Sequence, residues 1–225
     1  MILIPVKNLS LAKQRLAPVL DQPARTKLAQ AMLEDVLATL NEWQLGRTSK
    51  HAEVTLVTSD PFAVELAGKY RFEVIPDPEN PGETGAIEMA TRRCVERGIQ
   101  WTLVIPADIP LIQAWELDEI LKHAPEQGSV LVPANDGRGT NAAFRRPADL
   151  FPLRFGNDSF KPHLAAAQAF GKPSTVVNLP GIAVDIDSSA DLEKLISLPG
   201  NTRAQQLARA VGWRSASGAA MNPLR

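Results

Sequence analysis

The chain has 225 residues, 44 % hydrophobic and 22 % charged, which is enough apolar material for a real core and argues against extended disorder. Lys plus Arg total 24 and Asp plus Glu 25, a formal charge of −1 that excludes a broadly basic nucleic-acid coat and a polybasic membrane binder. No apolar run approaches the roughly 18 residues needed to span a bilayer. The start, Met1 to Val6, reads as a buried strand and not as a signal peptide. The single cysteine, Cys94, can form neither an internal disulfide nor a zinc cluster, and it falls in a helix-like run as a buried thiol. A soluble, cytoplasmic protein is expected.

Short apolar runs alternate with stretches of helical period, the pattern of an α/β fold with a mostly parallel central sheet flanked by helices. Ile2 to Val6 is the first strand. Pro23 to Leu40 follows as a helix, with Leu28, Met32, Leu33, Val36, Leu37 and Leu40 on one stripe. Val54 to Thr58 is a strand, and Asp60 with Pro61 caps a helix over 62–69. Phe72 to Ile75 is a strand, and a helix runs from Thr84 to Arg97, stopped by Gly98. Trp101 to Ile105 reads as a central strand buried on both faces. Then come a helix over 114–123, strands over 129–133 and 142–145 around the polar turn 135–139, a helix over 160–170 and a strand over 175–178. A last strand at Ile182 to Asp185 and a helix over 188–196 complete a single domain of residues 1–200. The tail, 201–225, carries one helical patch at 204–211 and is expected to fray at Ser215 to Ala220.

In open parallel sheets ligands bind beyond the carboxyl ends of the strands, so polar residues just after strands are the candidates. Lys7, Lys13 and Arg15 follow the first strand and could hold a polyphosphate through charge-assisted hydrogen bonds, although a solvated basic loop has the same composition. Asp108 follows the central strand between Pro106 and Pro110, placed to bind a hard cation such as Mg²⁺ or, more plainly, to cap a turn. Asp185 and Asp187 share one side of an extended segment; one could join Asp108 at Mg²⁺ and the other cap the next helix. Gly137 to Asn141, with Gly156, Ser159 and His163, offers close backbone approach, hydroxyl donors and a helix start that suit an anion, or else an ordinary hairpin turn and cap. His163 alone is more often structural than catalytic. No GxxxxGK[ST] loop occurs after the first strand.

These segments, in this order, resemble the 2-phospho-L-lactate guanylyltransferase family. The match rests on Ile4-Pro5-Val6-Lys7 with Ala12 to Pro18, Pro106 to Leu111, Gly139 to Ala142, Gly156 with Ser159 and His163, and Asp185 to Asp187 with Asp191-Leu192. The resemblance spans about residues 1–195. It implies a glycosyltransferase-A-like nucleotidyltransferase fold and transfer of GMP from GTP to a small phosphorylated acid. That acid would be 2-phospho-L-lactate, phosphoenolpyruvate or 3-phospho-D-glycerate, pyrophosphate would be released, and the product would lead to coenzyme F420. By the same likeness Lys7, Lys13, Arg15, Gly85 and Ala107 meet the nucleotide, and Thr140, Asn141, Gly156 and Ser159 line the acid pocket. Asp108 with Asp185 or Asp187 holds Mg²⁺. The chain departs from the family at Gly82 to Ile87, where a Gly-Leu-Asn-Ala-like stretch is usual.

A substrate phosphate is already anionic and can attack the α-phosphorus without a protein base, so alignment and charge neutralisation suffice. Two alternatives stand beside this reading. A molybdopterin or sugar-phosphate nucleotidyltransferase would usually open with a glycine-rich loop, and 7–15 contains no glycine. A non-catalytic nucleotide-binding module would bind GTP without forming product. The default oligomer for such a chain is a homodimer.

Overall fold

The order of apolar runs and amphipathic stretches becomes an alternation of strands and helices in the computed structural model, which describes residues 1–46, 52–79, 82–156 and 158–210. The elements are β1 (Ile2–Pro5), α1 (Gln22–Leu45), β2 (Val54–Val57), α2 (Pro61–Tyr70), β3 (Glu73–Ile75), α3 (Glu83–Glu96), β4 (Thr102–Val104) and α4 (Ala114–Lys122), then β5 (Gly128–Pro133), β6 (Thr140–Arg146), α5 (Phe160–Ala169), β7 (Ser174–Val176), α6 (Ser189–Ser197) and α7 (Arg203–Ala210). The sheet order is β3-β2-β1-β4-β6-β5-β7. The β1–β2, β1–β4, β2–β3 and β5–β7 pairs are parallel, and β6 alone runs against its neighbours β4 and β5. The chain leaves β1 to build β2 and β3 on one side, then crosses to β4 on the other. The loops after β1 and β4 therefore diverge at one edge, and that divergence opens a crevice.

Strand alternation divides the core. Ile2, Ile4, Leu56, Leu103 and Phe144 face the apolar stripe of α1, joined by residues of α2, α4, α6 and α7. Leu3, Val57, Val104, Leu131 and Ala143 face α3 and α5, where Ile87, Ala90, Cys94 and Ala167 are buried. Cys94 is indeed a buried thiol, with its Sγ 3.4 Å from Met1 Sδ. Among the described residues no helix is long and apolar enough to cross a membrane.

The local signals mostly act as read. Asp60 accepts from Ala63 N–H at the start of α2, with Pro61 in the first turn. Gly98, at φ 72°, ends α3. Ser188 and Asp191 form a capping box on α6. Two differences appear. The first is that α1 begins at Gln22, capped by Asp21, and continues to Leu45, well past Leu40. The second is that Ile182 to Asp185 is not a strand. Ile182 and Val184 are buried, but the chain turns at 180–183 and continues without joining the sheet, and its backbone bonds go elsewhere. Gly181 and Ile182 donate to the Glu116 carboxylate at 2.7 and 3.4 Å, Ala183 donates to Leu179 O, and Ile186 donates to Asp108 O. Periodicity cannot separate such a buried turn from a strand.

The helical patch expected at 204–211 is α7. Ala204, Gln205 and Ala208 are buried, and Asp35 on α1 accepts from the Arg203 and Ala204 amides at 3.0 and 2.9 Å. The expected fraying at Ser215 to Ala220 lies outside the described residues.

Glu116 is fully buried and accepts from three backbone amides, those of Gln113, Gly181 and Ile182. Removing it strands those donors in the interior. Glu116→Ala should cost about 3 kcal/mol of stability in urea unfolding; a loss under about 0.5 kcal/mol would mean the turn at 179–183 holds without it.

Candidate active site

The crevice beside β1 and β4 receives three loops. The loop after β1 is pinned where Leu9 N–H donates to Asp60 at 2.9 Å and where Asn8 accepts from Ser10 N–H at 2.9 Å. It passes through two short 3₁₀ turns, Leu9–Leu11 and Gln14–Leu16, and between them Lys13 takes a left-handed conformation at φ 55°. For a long side chain that conformation costs free energy, and it sends Lys13 inward. The loop after β4 carries Asp108. The segment before α6 carries Asp185 and Asp187, and Ile186 N–H donating to Asp108 O at 3.2 Å joins these two loops.

At the centre, the Lys13 ammonium donates to Asp108 Oδ2 at 2.6 Å and to Asp187 Oδ1 at 2.8 Å. Two carboxylates 79 places apart in the sequence thus lie within two hydrogen-bond lengths of each other. Lys13 is only 8 % exposed. Burial alone would lower its pKa, but the charges of Asp108 and Asp187 outweigh that and raise it. Asp187, also opposed by burial, is held below the usual carboxylate range by Lys13 and then Arg15, whose Nη1 lies 3.5 Å from Asp187 Oδ2. Because Ser188 makes the helix cap, Asp187 is left facing the crevice. Asp185 turns to a different partner: it accepts from Asn141 Nδ2 at 3.0 Å, and burial raises its pKa. Among the described residues no three His, Cys, Asp or Glu side chains converge to hold a metal unaided.

Two cavities meet at this cluster. One, of about 490 Å³, lies along the β1 loop and is lined by Lys7, Lys13, Arg15, Ala107 and Asp108, with Ala29 and Met32 of α1 as an apolar wall. The other, of about 550 Å³, is more polar and is lined by Thr140, Asn141, Gly156, Ser159 and Asp185. Lys7, Arg15, Glu83, Pro106, Asp108 and Asp187 border both. Of the residues expected to meet nucleotide, acid or metal, each reaches one cavity or the other except Gly85, which sits in the first turn of α3 away from both linings; His163 and Gly137 also lie outside both.

Sequence reasoning missed Glu83. It begins α3 after Gly82, whose φ of 90° turns the chain there, and borders both cavities. Burial, then the negative charge of Asp108, pushes its pKa up to about 7 against the opposing pull of Lys7. The available signal was its position, an acidic residue opening a helix after a strand-end loop.

Behind Thr140, outside the lining of the second cavity, His163 is 1 % exposed, and burial followed by the charge of Arg145 lowers its pKa to about 4 from an ordinary 6.5. An unfolded chain takes up the proton near pH 6.5 and the folded protein resists it until about pH 4. Stability present above pH 6.5 is thus lost as pH falls toward 4. The slope should reach about 1.4 kcal/mol per pH unit for this one group. Comparing the pH dependence of unfolding in wild type and His163→Phe checks it: the variant should show the shallower acid slope, and equal slopes would exclude a neutral buried imidazole.

Comparison with known proteins matches residues 1–219 to the family model described as "Guanylyl transferase CofC like". A phosphoenolpyruvate guanylyltransferase of Roseiflexus castenholzii is 37 % identical over 92 % of this chain and 92 % of its own. A 2-phospho-L-lactate guanylyltransferase of Methanothermobacter thermautotrophicus is 30 % identical over 92 % and 88 %. Among solved structures, one described as a putative nucleotide-diphospho-sugar transferase from Desulfovibrio desulfuricans superposes with a TM-score of 0.72 at 19 % identity, covering 93 % of each chain. A 4-diphosphocytidyl-2C-methyl-D-erythritol synthase superposes at 0.56 and 14 % identity, over 86 % of this chain and 95 % of that one. These last two share the fold.

Proposed function

Since the chain belongs to the CofC-like guanylyltransferase family, we propose that it transfers GMP from GTP to phosphoenolpyruvate or 2-phospho-L-lactate, in the route to coenzyme F420. The observation that carries this reading is the Lys13 ammonium shared by Asp108 and Asp187 where the two cavities meet. Cation and carboxylates stand together at the one point that both a nucleotide and a second anionic substrate can reach.

The 490 Å³ cavity suits the nucleotide: its apolar wall of Ala29 and Met32 can take a base, and Lys7, Lys13 and Arg15 offer charge-assisted donors to a triphosphate. The 550 Å³ cavity, with its hydroxyls and the open space beside Gly156, suits the phospho-acid. A phosphate oxygen of the acid forms the new bond to the α-phosphorus as the bond to the β-phosphate bridging oxygen breaks, and pyrophosphate takes that electron pair. No proton need move. Lys7 and Arg15 border both cavities and offset charge on both sides of the transfer. The residues also fit magnesium, which characteristically takes one or two carboxylates and completes its shell with water and phosphate. Asp108 and Asp187 would hold it, and it would supply charge neutralisation on the phosphates.

The test is pyrophosphate release with GTP, Mg²⁺ and each of phosphoenolpyruvate, 2-phospho-L-lactate and 3-phospho-D-glycerate, with ATP as the competing nucleotide and products read by mass. A guanylylated phosphoenolpyruvate or phospholactate is expected. Saturable GTP binding with no product would instead favour a binding module.

A further inference from the structure

The wall of the 550 Å³ cavity contains a hydrogen-bond chain whose direction can be worked out from donors that have no choice. A backbone N–H can only donate. The Arg154 amide lies 2.7 Å from His163 Nε2, so Nε2 is the acceptor and carries no proton. A neutral imidazole then holds its proton on Nδ1. Nδ1 lies 2.9 Å from Thr140 Oγ1, which must accept from it. The Phe155 ring, edge-on to the imidazole at 5.3 Å, keeps the ring in this plane.

Thr140 Oγ1 has a second hydroxyl beside it: Ser159 Oγ accepts from the Thr140 amide at 3.1 Å and lies 3.4 Å from Thr140 Oγ1. A hydroxyl has two acceptor positions and one hydrogen. With His163 donating to Thr140, one of the two hydroxyl hydrogens can bridge Thr140 and Ser159 and the other is left over. Among the described residues no acceptor takes it, and Thr140 borders the cavity. Were the proton on Nε2 instead, Thr140 would have to donate back to Nδ1. It would then face the cavity with lone pairs, which repel an anion.

We propose that His163 is a positioning residue for the acid half of the reaction: fixed as the Nδ1–H tautomer by the Arg154 amide, it donates to Thr140 and so leaves the Thr140–Ser159 pair a hydroxyl hydrogen for an anionic oxygen of the substrate. The inference rests on reading the 550 Å³ cavity as the phospho-acid site. It explains why a buried histidine with no carboxylate partner among the described residues stands behind two hydroxyls, and it gives the ring a task in recognition without contact with substrate.

Two measurements test it. Long-range ¹H–¹⁵N NMR of the full chain should show His163 as the Nδ1–H tautomer, unchanged from about pH 5.5 to 8; an Nε2–H tautomer, or titration near pH 6.5, overturns the proposal. Steady-state kinetics supply the second. Thr140→Val should raise KM for the phospho-acid about tenfold or more with KM for GTP unchanged, and Thr140→Ser should restore it. His163→Phe should raise the same KM, and adding it to Thr140→Val should cost little more, because one variant already removes what the other acts through. Additive losses, or a wild-type KM in Thr140→Val, overturn the relay. Should His163→Phe fail to fold, the tautomer and the Thr140 pair still decide. A protein with the Nδ1–H tautomer that guanylylates no phospho-acid overturns the assignment of the cavity, and the proposal with it.

Discussion

Asp108→Asn is expected to lower turnover of GTP and phospho-acid by about 1000-fold or more, with the thermal unfolding midpoint within about 3 °C of wild type. The substitution is nearly isosteric, and the backbone bond from Ile186 to Asp108 O is untouched. Lys13 keeps its contact with Asp187 at 2.8 Å, so the loop remains anchored. What is lost is one of the two negative charges that Lys13 bridges, and with it the means to concentrate positive charge around the phosphates, which is the kind of stabilisation that contributes most in a partly enclosed site. Pyrophosphate release, measured beside a melting curve, separates the two effects. Wild-type turnover in this variant would remove Asp108 from the chemistry, and a collapse of the melt would make its role structural.

Lys13→Met should produce the second large effect, a fall of about 100-fold or more in turnover, accompanied by a measurable loss of stability in metal-free buffer. Methionine keeps an unbranched side chain one atom shorter but removes the ammonium that bridges Asp108 and Asp187, leaving two carboxylates facing each other. Breaking a fully buried pair in this way costs about 3–5 kcal/mol. Because the two carboxylates retain 28 % and 41 % exposure, solvent screening reduces the expected loss to about 1–2 kcal/mol. Added Mg²⁺ should recover part of it in the variant and little in wild type, where the ammonium already neutralises the pair. Urea unfolding with and without Mg²⁺ reads this directly. Equal stability of the two proteins in metal-free buffer would show that the ion pairs contribute nothing to the fold.

The sequence made the site legible to the extent that its residues follow strands. Lys7, Lys13, Arg15 and Asp108 could be placed because β1 and β4 are short, strongly apolar runs with polar residues immediately after them, and an open sheet puts those residues at one edge. Asp185 and Asp187 were legible as a pair but not as individuals. Their separation came from long-range partners, Asn141 for one and Lys13 for the other, and from Ser188 taking the cap. Ile182 to Asp185 misled because a buried turn needs the same apolar side chains as a strand. The carboxylate that satisfies its amides, Glu116, lies 65 residues from Gly181. Glu83 was missed for a related reason, since its surroundings are assembled from the loops of three strands. The direction of the His163 chain depends on the Arg154 amide, and no composition or period reports where a backbone N–H points.

The central claim is that Asp108 and Asp187 together present a cation site to a bound triphosphate. Titration of Mn²⁺ by electron paramagnetic resonance in the presence of saturating GTP tests it most directly, with wild type, Asp108→Asn, Asp187→Asn and Lys7→Met compared. Tight binding in wild type and in Lys7→Met, weakened about tenfold or more in each aspartate variant, is the predicted result; Mn²⁺ affinity equal to wild type in both Asp108→Asn and Asp187→Asn would contradict it.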